Sequence, residues 1–556
     1  MKMKRLILPI TLLCSMTLLA ACGGGSGESD TKAEASKKNA DGIYEPTVTI
    51  NIAKQQDENT GRYEDKDDIS NNPMTRLGVE KKGIQIETTL LGGDAGNYST
   101  KLRLALTGSE DLPDVFPVYD NQMISDMIES GRVKAIDDDI EKYMPERLKA
   151  IYDKYPETFY PVTHEGKTYG LAITPNLTEG QVMIIRQDWL DKLNLKAPTN
   201  LEEFAEVIKA FTENDPDGNG KKDTFGFTYG GDGIYNTGWT GEVATLFSAN
   251  TGDKLPGRWA EEDGELVYGS IDEGNKETLA LMADWHKDGY IFQEAAATGA
   301  WDAMTQFTEG KAGIFIGRPW CVGSVNDVTK NIEGAKVVAY PNIKQDNGEP
   351  TYQNAQINDG YFMFNEDFSN MEAFFDYYDW IYDYAFGEGD FQYGFLENYD
   401  YDIVDDNIVF DPTKFDPVKS SENNFMPGKA LLSKNSPSID EAGKSYYDVV
   451  NGKEPESGAE LRAENELNTI PEQAKGYAIS YENKDELLPS IFNGAPTETM
   501  KRNWEQLQTL EKQTYTNIIY GKADIDEFDK FVEQWKEQGG DKITEEVNAW
   551  YEEVSK

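Results

Sequence analysis

The sequence predicts an α/β protein built on largely parallel sheets, and three observations carry that expectation. Between residues 47 and 130, stretches with strand alternation trade places with stretches of helical periodicity, the rhythm of βαβ units. Hydrophobic residues make up 38% of the 556, enough for a packed core despite the high charge. The length allows two to four ordinary domains, and no fixed-period repeat breaks it into a solenoid.

In order, TVTINIAKQQDE (47–58) alternates as a strand and runs into a polar loop. IQIETTLLGG (84–93) is a second strand, YSTKLRLALTGSE (98–110) a helix and LPDVFPVYD (112–120) a third strand. A helix follows near 121–130, and EGKTYGLAITPN (165–176) is a further strand. TNLEEFAEVIKAFTEN (199–214) is a helix, with Thr199 as the N-cap and Glu202 completing a capping box. Another helix spans about 274–288, and residues 303–317 run from helix into strand. AKVVAYPN and DGYFMFNE add two strands. In NMEAFFDYYDWIYDYAF (370–386) Tyr377, Tyr378 and Trp380 have core spacing on a helix. From about 493 the chain reads as mostly helical. The stretch 411–470, rich in Asp, Ser, Asn, Pro and Glu, is the weakest for order after the N-terminal tether.

The N-terminus carries its own message. Three positive charges within Met1–Arg5 precede an apolar run that ends in Leu19-Ala20-Ala21-Cys22, the layout of a secretory signal peptide over 1–21. This stretch resembles the bacterial lipobox, which implies cleavage before Cys22 and a lipid on its thiol. Residues 22–44, rich in Gly, Ser, Ala and Lys, are expected to be a disordered tether. Cys14 leaves with the signal peptide, so Cys321 has no intramolecular disulfide partner and reads as a small hydrophobe.

Lys plus Arg number 53 against 100 Asp plus Glu, a net charge of −47. So acidic a body excludes nucleic acid as a partner and is repelled by anionic lipid surfaces. It also disfavours a strongly anionic ligand, unless a local basic pocket overrides the field.

LPDVFPV, the GKTYGLA strand, IIRQDWLDKLNLKAPTNLEEFAEVIKAF, FTEGKAGIFIGRPW and FDKFVEQWKEQGGDKITEEVNAWY, in that order, resemble the extracellular solute-binding proteins of ABC importers that take sugars and oligosaccharides. The Arg186-Gln187-Asp188-Trp189-Leu190 stretch and the C-terminal block look like large lipoproteins of that family associated with complex carbohydrates. The resemblance implies a two-lobed periplasmic-binding-protein-like fold of type II, with ligand held in the cleft between lobes joined by hinge strands. It places the first lobe at 45–170 and 355–410, and the second at 171–354 and 411–556. It further implies a monomer that passes oligosaccharide to permease subunits.

NDPDGNGKKDTFGF (214–227) holds Asp215, Asp217, Asn219, Lys221 and Asp223 at loop positions 1, 3, 5, 7 and 9, with Gly220 at 6. This is the start of an EF-hand pattern, in which alternate residues turn oxygens inward and Lys221 supplies its carbonyl. Position 12 is Gly226, so the bidentate Glu is missing and a complete EF-hand is excluded. The expectation is a shortened, structural Ca²⁺ loop, closed by Asp223 with water, Thr224 or a distant carboxylate left to complete it. Hard oxygen donors without His or Cys argue against zinc or copper. Asp, Asn and Gly are also what a metal-free turn uses.

Neutral sugars present C–H faces and hydroxyl rims, so their sites pair flat aromatics with carboxylates and amides. At strand ends the candidates are Gln55, Gln56 and Asp57, then Tyr119, Asp120 and Asn121, then Asp359 and Tyr361. After GKAGIFIG come Arg318 and Trp320, and the resemblance sets that Trp against sugar; Trp239 and Trp301 are weaker candidates. A glycan-active enzyme is the rival reading, as is a binding protein for a peptide or other non-sugar ligand. However, G-x-S-x-G, P-loop, H-E-x-x-H and paired C-x-x-C motifs are all missing, and His164 and His286 stand in no metal or nucleophile pattern. The chain is therefore read as a binder and not an enzyme.

Overall fold

The computed structural model describes residues 36–56, 67–108, 111–175, 179–231, 240–241, 243–410, 427–433 and 435–555. Cys22, Asp57 and Trp239 lie outside them. The strands that matter below, in chain order, are β1 (Val48–Gln55), β2 (Ile84–Gly92), β3 (Val115–Val118), β4 (Gly170–Ala172), β5 (Val182–Arg186), β6 (Phe225–Thr228), β7 (Ala312–Gly317), β8 (Val337–Tyr340), β9 (Gln353–Ala355), β10 (Tyr361–Phe364) and β11 (Leu487–Pro489).

Two sheets organise the chain. The first has the order β2-β1-β3-β10-β4 and the second β6-β7-β5-β8. Both are mixed, which corrects the expectation of largely parallel sheets. In the first, β1 runs parallel to β2 and β3, whereas β10 is antiparallel to β3 and β4. In the second, β6 and β7 are parallel while β5 is antiparallel to β7 and β8. The reason is topological: β10 arrives from the other lobe instead of following a local crossover helix, so it is free to enter reversed.

Apolar side chains decide which segments join which lobe. Ile50, Ile52, Phe116, Phe362, Phe364, Phe374, Tyr378 and Leu431 belong to one buried cluster. The second sheet is covered on both faces. Met183, Ile185 and Ile314 face a large cluster that includes Phe204, Trp535 and Ile543, while Val182, Ile184 and Phe315 face a smaller one, as expected of strands buried on both sides. Leu431, Leu432 and Ile439 pack into the first core, and Lys54 Nζ donates to the Leu431 carbonyl at 2.7 Å. Ala430, Leu431, Leu432 and Ile439 therefore belong with the first lobe, which corrects the expected second-lobe span of 411–556 at these residues. Beyond them, helices Glu441–Val450, Gly458–Thr469 and Pro471–Glu482 form, so the second half of the stretch read as weakly ordered is helical. Crossings run near 179–181, 341–360 and 482–490, and β9 pairs with β11 between two of them.

Local corrections have plain causes. The strand expected at 165–176 splits into a short hairpin, Thr163–His164 with Lys167–Thr168, followed by β4. The helix expected from Thr199 runs over Leu201–Glu213 with Asn200 as its cap, its side chain accepting from the Glu203 N–H. Glu203, not Glu202, reaches back to the N–H and hydroxyl of Thr199. Tyr377, Tyr378 and Trp380 are buried on their helix. Among the described residues no helix is long and apolar enough to cross a membrane.

Candidate ligand-binding site

Where the lobes and crossings meet, a cavity of about 350 Å³ opens, lined by Tyr119 and Asn121 of the first lobe, Arg258 of the second, and the segments 354–361 and 489–493. Each wall residue is set by the fold. Tyr119 and Asn121 follow the carboxyl end of β3, where α/β sheets present their ligand-facing loops. Gly360, at φ 100°, lets the crossing segment lie directly against Tyr119: a Cβ there would stand 2.5 Å from the Tyr119 ring and 2.8 Å from the Val118 carbonyl.

The wall is polar and largely neutral. Tyr361 is buried, and its hydroxyl accepts from Asn358 Nδ2 at 3.0 Å. Burial pushes the Tyr361 phenol well above its usual value, and burial together with the Asp359 charge does the same for Tyr119. Both therefore stay neutral hydroxyls. Asn493 donates to the Glu157 carbonyl at 3.1 Å, and Asp359 accepts from Asn435 at 3.0 Å. Arg258 donates through Nη1 to Asn354 Oδ1 at 2.8 Å. Amides, phenols, one carboxylate and one guanidinium together offer donors and acceptors in many directions, the chemistry of a site for a hydroxyl-rich ligand.

The structure thus gathers Tyr119, Asn121, Asp359 and Tyr361, but not every sequence candidate. Asp120 is exposed and its Oδ1 is spent capping helix Asn121–Glu129 through the Met123 N–H, at 2.8 Å. Trp320 and Trp301 sit apart from this cavity, ring centroids 5.7 Å from each other and tilted by 44°. Trp301 is 58% exposed and Arg318 is buried at the end of β7. Gln56, only 6% exposed, has neither amide atom hydrogen-bonded, an unusual state for a buried amide. Sequence reading missed Arg258, Asn354, Asn358 and Asn493. It also missed a second cavity of about 430 Å³ that includes Tyr155, Tyr446, Tyr477, Tyr481 and Glu179. Asn358 stands beside Asp359 in the NDGYF segment; the others stand in no motif, and chain separation hides their convergence. The Cys321 thiol is buried and pushed up to about 12, which fits the small-hydrophobe reading.

In the 215–223 loop, Gly220 takes φ 77° and its N–H donates to Asp215 Oδ2 at 3.1 Å. Asn219 Nδ2 donates to Asp217 Oδ2 at 2.6 Å and to Asp223 Oδ1 at 3.1 Å. Asp215 Oδ1 is buried without a hydrogen bond. Desolvation raises Asp217, with the neighbouring Asp215 and Asp223 charges adding to it; in Asp215 hydrogen bonds from Asp217 and Gly220 outweigh desolvation and lower it. The amide of Asn219 thus bridges carboxylates that otherwise repel. Among the described residues no group of three or more His, Cys, Asp or Glu is gathered in metal-holding geometry.

Two lobes on separate cores, several crossings and a polar cavity between them define a hinged binding protein. The family of bacterial extracellular solute-binding proteins matches residues 71–385, more than half of the chain, and the chain belongs to it. It is 28% identical over 469 residues to the polygalacturonan/rhamnogalacturonan-binding protein YtcQ of Bacillus subtilis (strain 168), covering 82% of this chain and 83% of that one. The fold is shared with the alginate-binding protein AlgQ2, solved without calcium ion, with a TM-score of 0.64, 17% identity and coverage of 93% of this chain and 100% of that one. It is shared as well with the Streptococcus pneumoniae ABC-transporter substrate-binding protein FusA in complex with kestose, with a TM-score of 0.62, 17% identity and 91% and 99% coverage.

Proposed function

We propose that this protein is the substrate-binding component of an ABC importer, capturing an oligosaccharide between its lobes and delivering it to permease subunits. The observation that carries this is the cavity wall: amides and phenols from the first lobe, the second lobe and the crossings converge on one space. A ligand that contacts all of them is held only when the lobes are together, and that differential affinity is what drives closure. The names of YtcQ, AlgQ2 and FusA, each for a carbohydrate polymer or oligosaccharide, support the ligand class. The wall binds and does not turn its ligand over. The lipobox-like ending at Cys22 supports a lipid anchor that keeps the protein at the outer face of the membrane.

The test is a thermal-shift screen of oligosaccharides, with peptides as the contrast, on the form beginning after the tether. An oligosaccharide at 100 times its dissociation constant should stabilise by about 2.7 kcal/mol, and small-angle scattering should show compaction. Stabilisation by peptides alone, or hydrolysis of the bound glycan, would overturn the reading.

The loop 215–223 is proposed as a structural Ca²⁺ site. Asp215, Asp217, Asn219 and Asp223 would hold the ion through side-chain oxygens and Lys221 through its carbonyl, with the Asn219 amide turned so that Oδ1 replaces Nδ2. The buried, unbonded Asp215 Oδ1 and the mutual repulsion of the carboxylates support that fit. The ion would neutralise the loop and tie the end of helix Leu201–Glu213 to β6.

A further inference from the structure

We propose that Arg258 determines specificity at the interlobe cavity by receiving a carboxylate on the ligand, so that the oligosaccharide is an acidic, uronate-containing one. This rests on the oligosaccharide reading and deepens it.

The chain as a whole repels anions, with 100 acidic residues against 53 basic ones. An acidic sugar therefore needs a cation at the point of contact, inside the wall and not on the surface. Among the described lining residues of the 350 Å³ cavity, Arg258 is the one cation. It is 5% exposed, where a charge acts through low-dielectric surroundings and is worth far more than at a solvated site. A guanidinium also suits this role by shape, since its fork of donors matches a carboxylate edge.

Its mounting is consistent with a fixed receptor group. The backbone carbonyl of Arg258 accepts from the Gly269 N–H at 2.7 Å, and Nη1 is oriented by Asn354 Oδ1 at 2.8 Å. Asn354 belongs to β9, the crossing strand paired with β11. The same contact therefore joins the second lobe to a hinge strand. A carboxylate docked on Arg258 engages both at once, whereas Asp359 on the crossing segment is left to accept ligand hydroxyls. Neutral hydroxyl-rich rings can use the amides and phenols, but only an acidic ring uses the guanidinium as an ion pair.

The experiment is calorimetric titration of the mature protein with trigalacturonate and trimannuronate, each beside its methyl ester. For at least one of the two sugars, the acid should bind at least tenfold more tightly than its ester, with the gap narrowing as salt rises. Arg258→Gln should lower acid affinity by ten- to a hundredfold and ester affinity by far less, and Arg258→Lys should recover part of the loss. If ester and acid bind alike, or Arg258→Gln weakens both equally, Arg258 serves only to brace the hinge and the proposal falls. Binding confined to neutral oligosaccharides would also overturn it while leaving the importer reading intact. Failure of every glycan, acidic or neutral, would remove both.

Discussion

The two lobes are built on sheets of similar size but keep their cores by different means. The first has one contiguous apolar cluster whose centre is aromatic. Phe374 meets Phe364 edge-on at 4.9 Å and 84°, and Tyr378 meets Phe362 at 5.5 Å and 88°. Its Arg147 ties Asp379, Asp383 and Glu388 at the rim, where ion pairs add little to stability. The second lobe covers its sheet on both faces and buries a carboxyl. Glu511 is 3% exposed, accepts from Tyr268 at 2.9 Å and Ser270 at 2.7 Å, and is pushed up to about 7 by desolvation. Arg258 and the acidic 215–223 loop belong to the same lobe. The difference teaches that ring packing is common to both cores, while the second lobe adds Glu511 and the acidic loop, on which protons and cations act.

Three changes sharpen or break that contrast. The largest effect is expected from Phe374→Ala, which empties the centre of the first core and should cost about 3–5 kcal/mol, with no dependence on pH between 5 and 8. Chemical denaturation at two pH values checks it, and a pH-dependent loss would break the contrast.

Next is the proton on Glu511. Its folded pKa lies above its ordinary 4.5, so the folded state holds the proton more tightly than the unfolded chain. The stability it contributes is fully present below about 4.5 and is lost as pH rises through about 7, about 3 kcal/mol in all. Glu511→Gln should flatten that slope, measured by melting across pH 4 to 8. An unchanged slope would assign the titration elsewhere.

Calcium comes third. Its addition should raise the melting temperature, by about 2.7 kcal/mol of stabilisation at 100 times the dissociation constant. EDTA should reverse the rise, and Asp217→Asn together with Asp223→Asn should abolish it. A melting temperature indifferent to both reagents returns the loop to a metal-free turn.

How much of this was legible follows the range of the interactions. Strands such as TVTINIA and helices such as LEEFAEVIKAFTE show themselves through local periodicity, and the core role of Tyr378 and Trp380 follows from their spacing. The helix cap slipped by one because Thr199 and Asn200 are both good caps, and only the backbone at Asn200, with φ −144°, decides between them. In the site, Asp359 and Tyr361 are legible because their NDGYF segment leads into a strand at an expected hinge crossing. Arg258, Asn354 and Asn493 are not, since nearly a hundred residues or more separate each from the next. Glu511 looks from its neighbours like any surface glutamate on a long helix, and only the fold brings Tyr268 and Ser270 to it.

The helices of 441–482 lie against both halves of the molecule. Arg462 donates to the carbonyls of Gln392 and Tyr384 on one side, while Ile479 packs on the smaller cluster of the second sheet and Ser480 accepts from the Gly180 N–H at the first crossing. This strap therefore gives the two halves a second tie beside the crossing strands, and a load that separates the lobes falls on both.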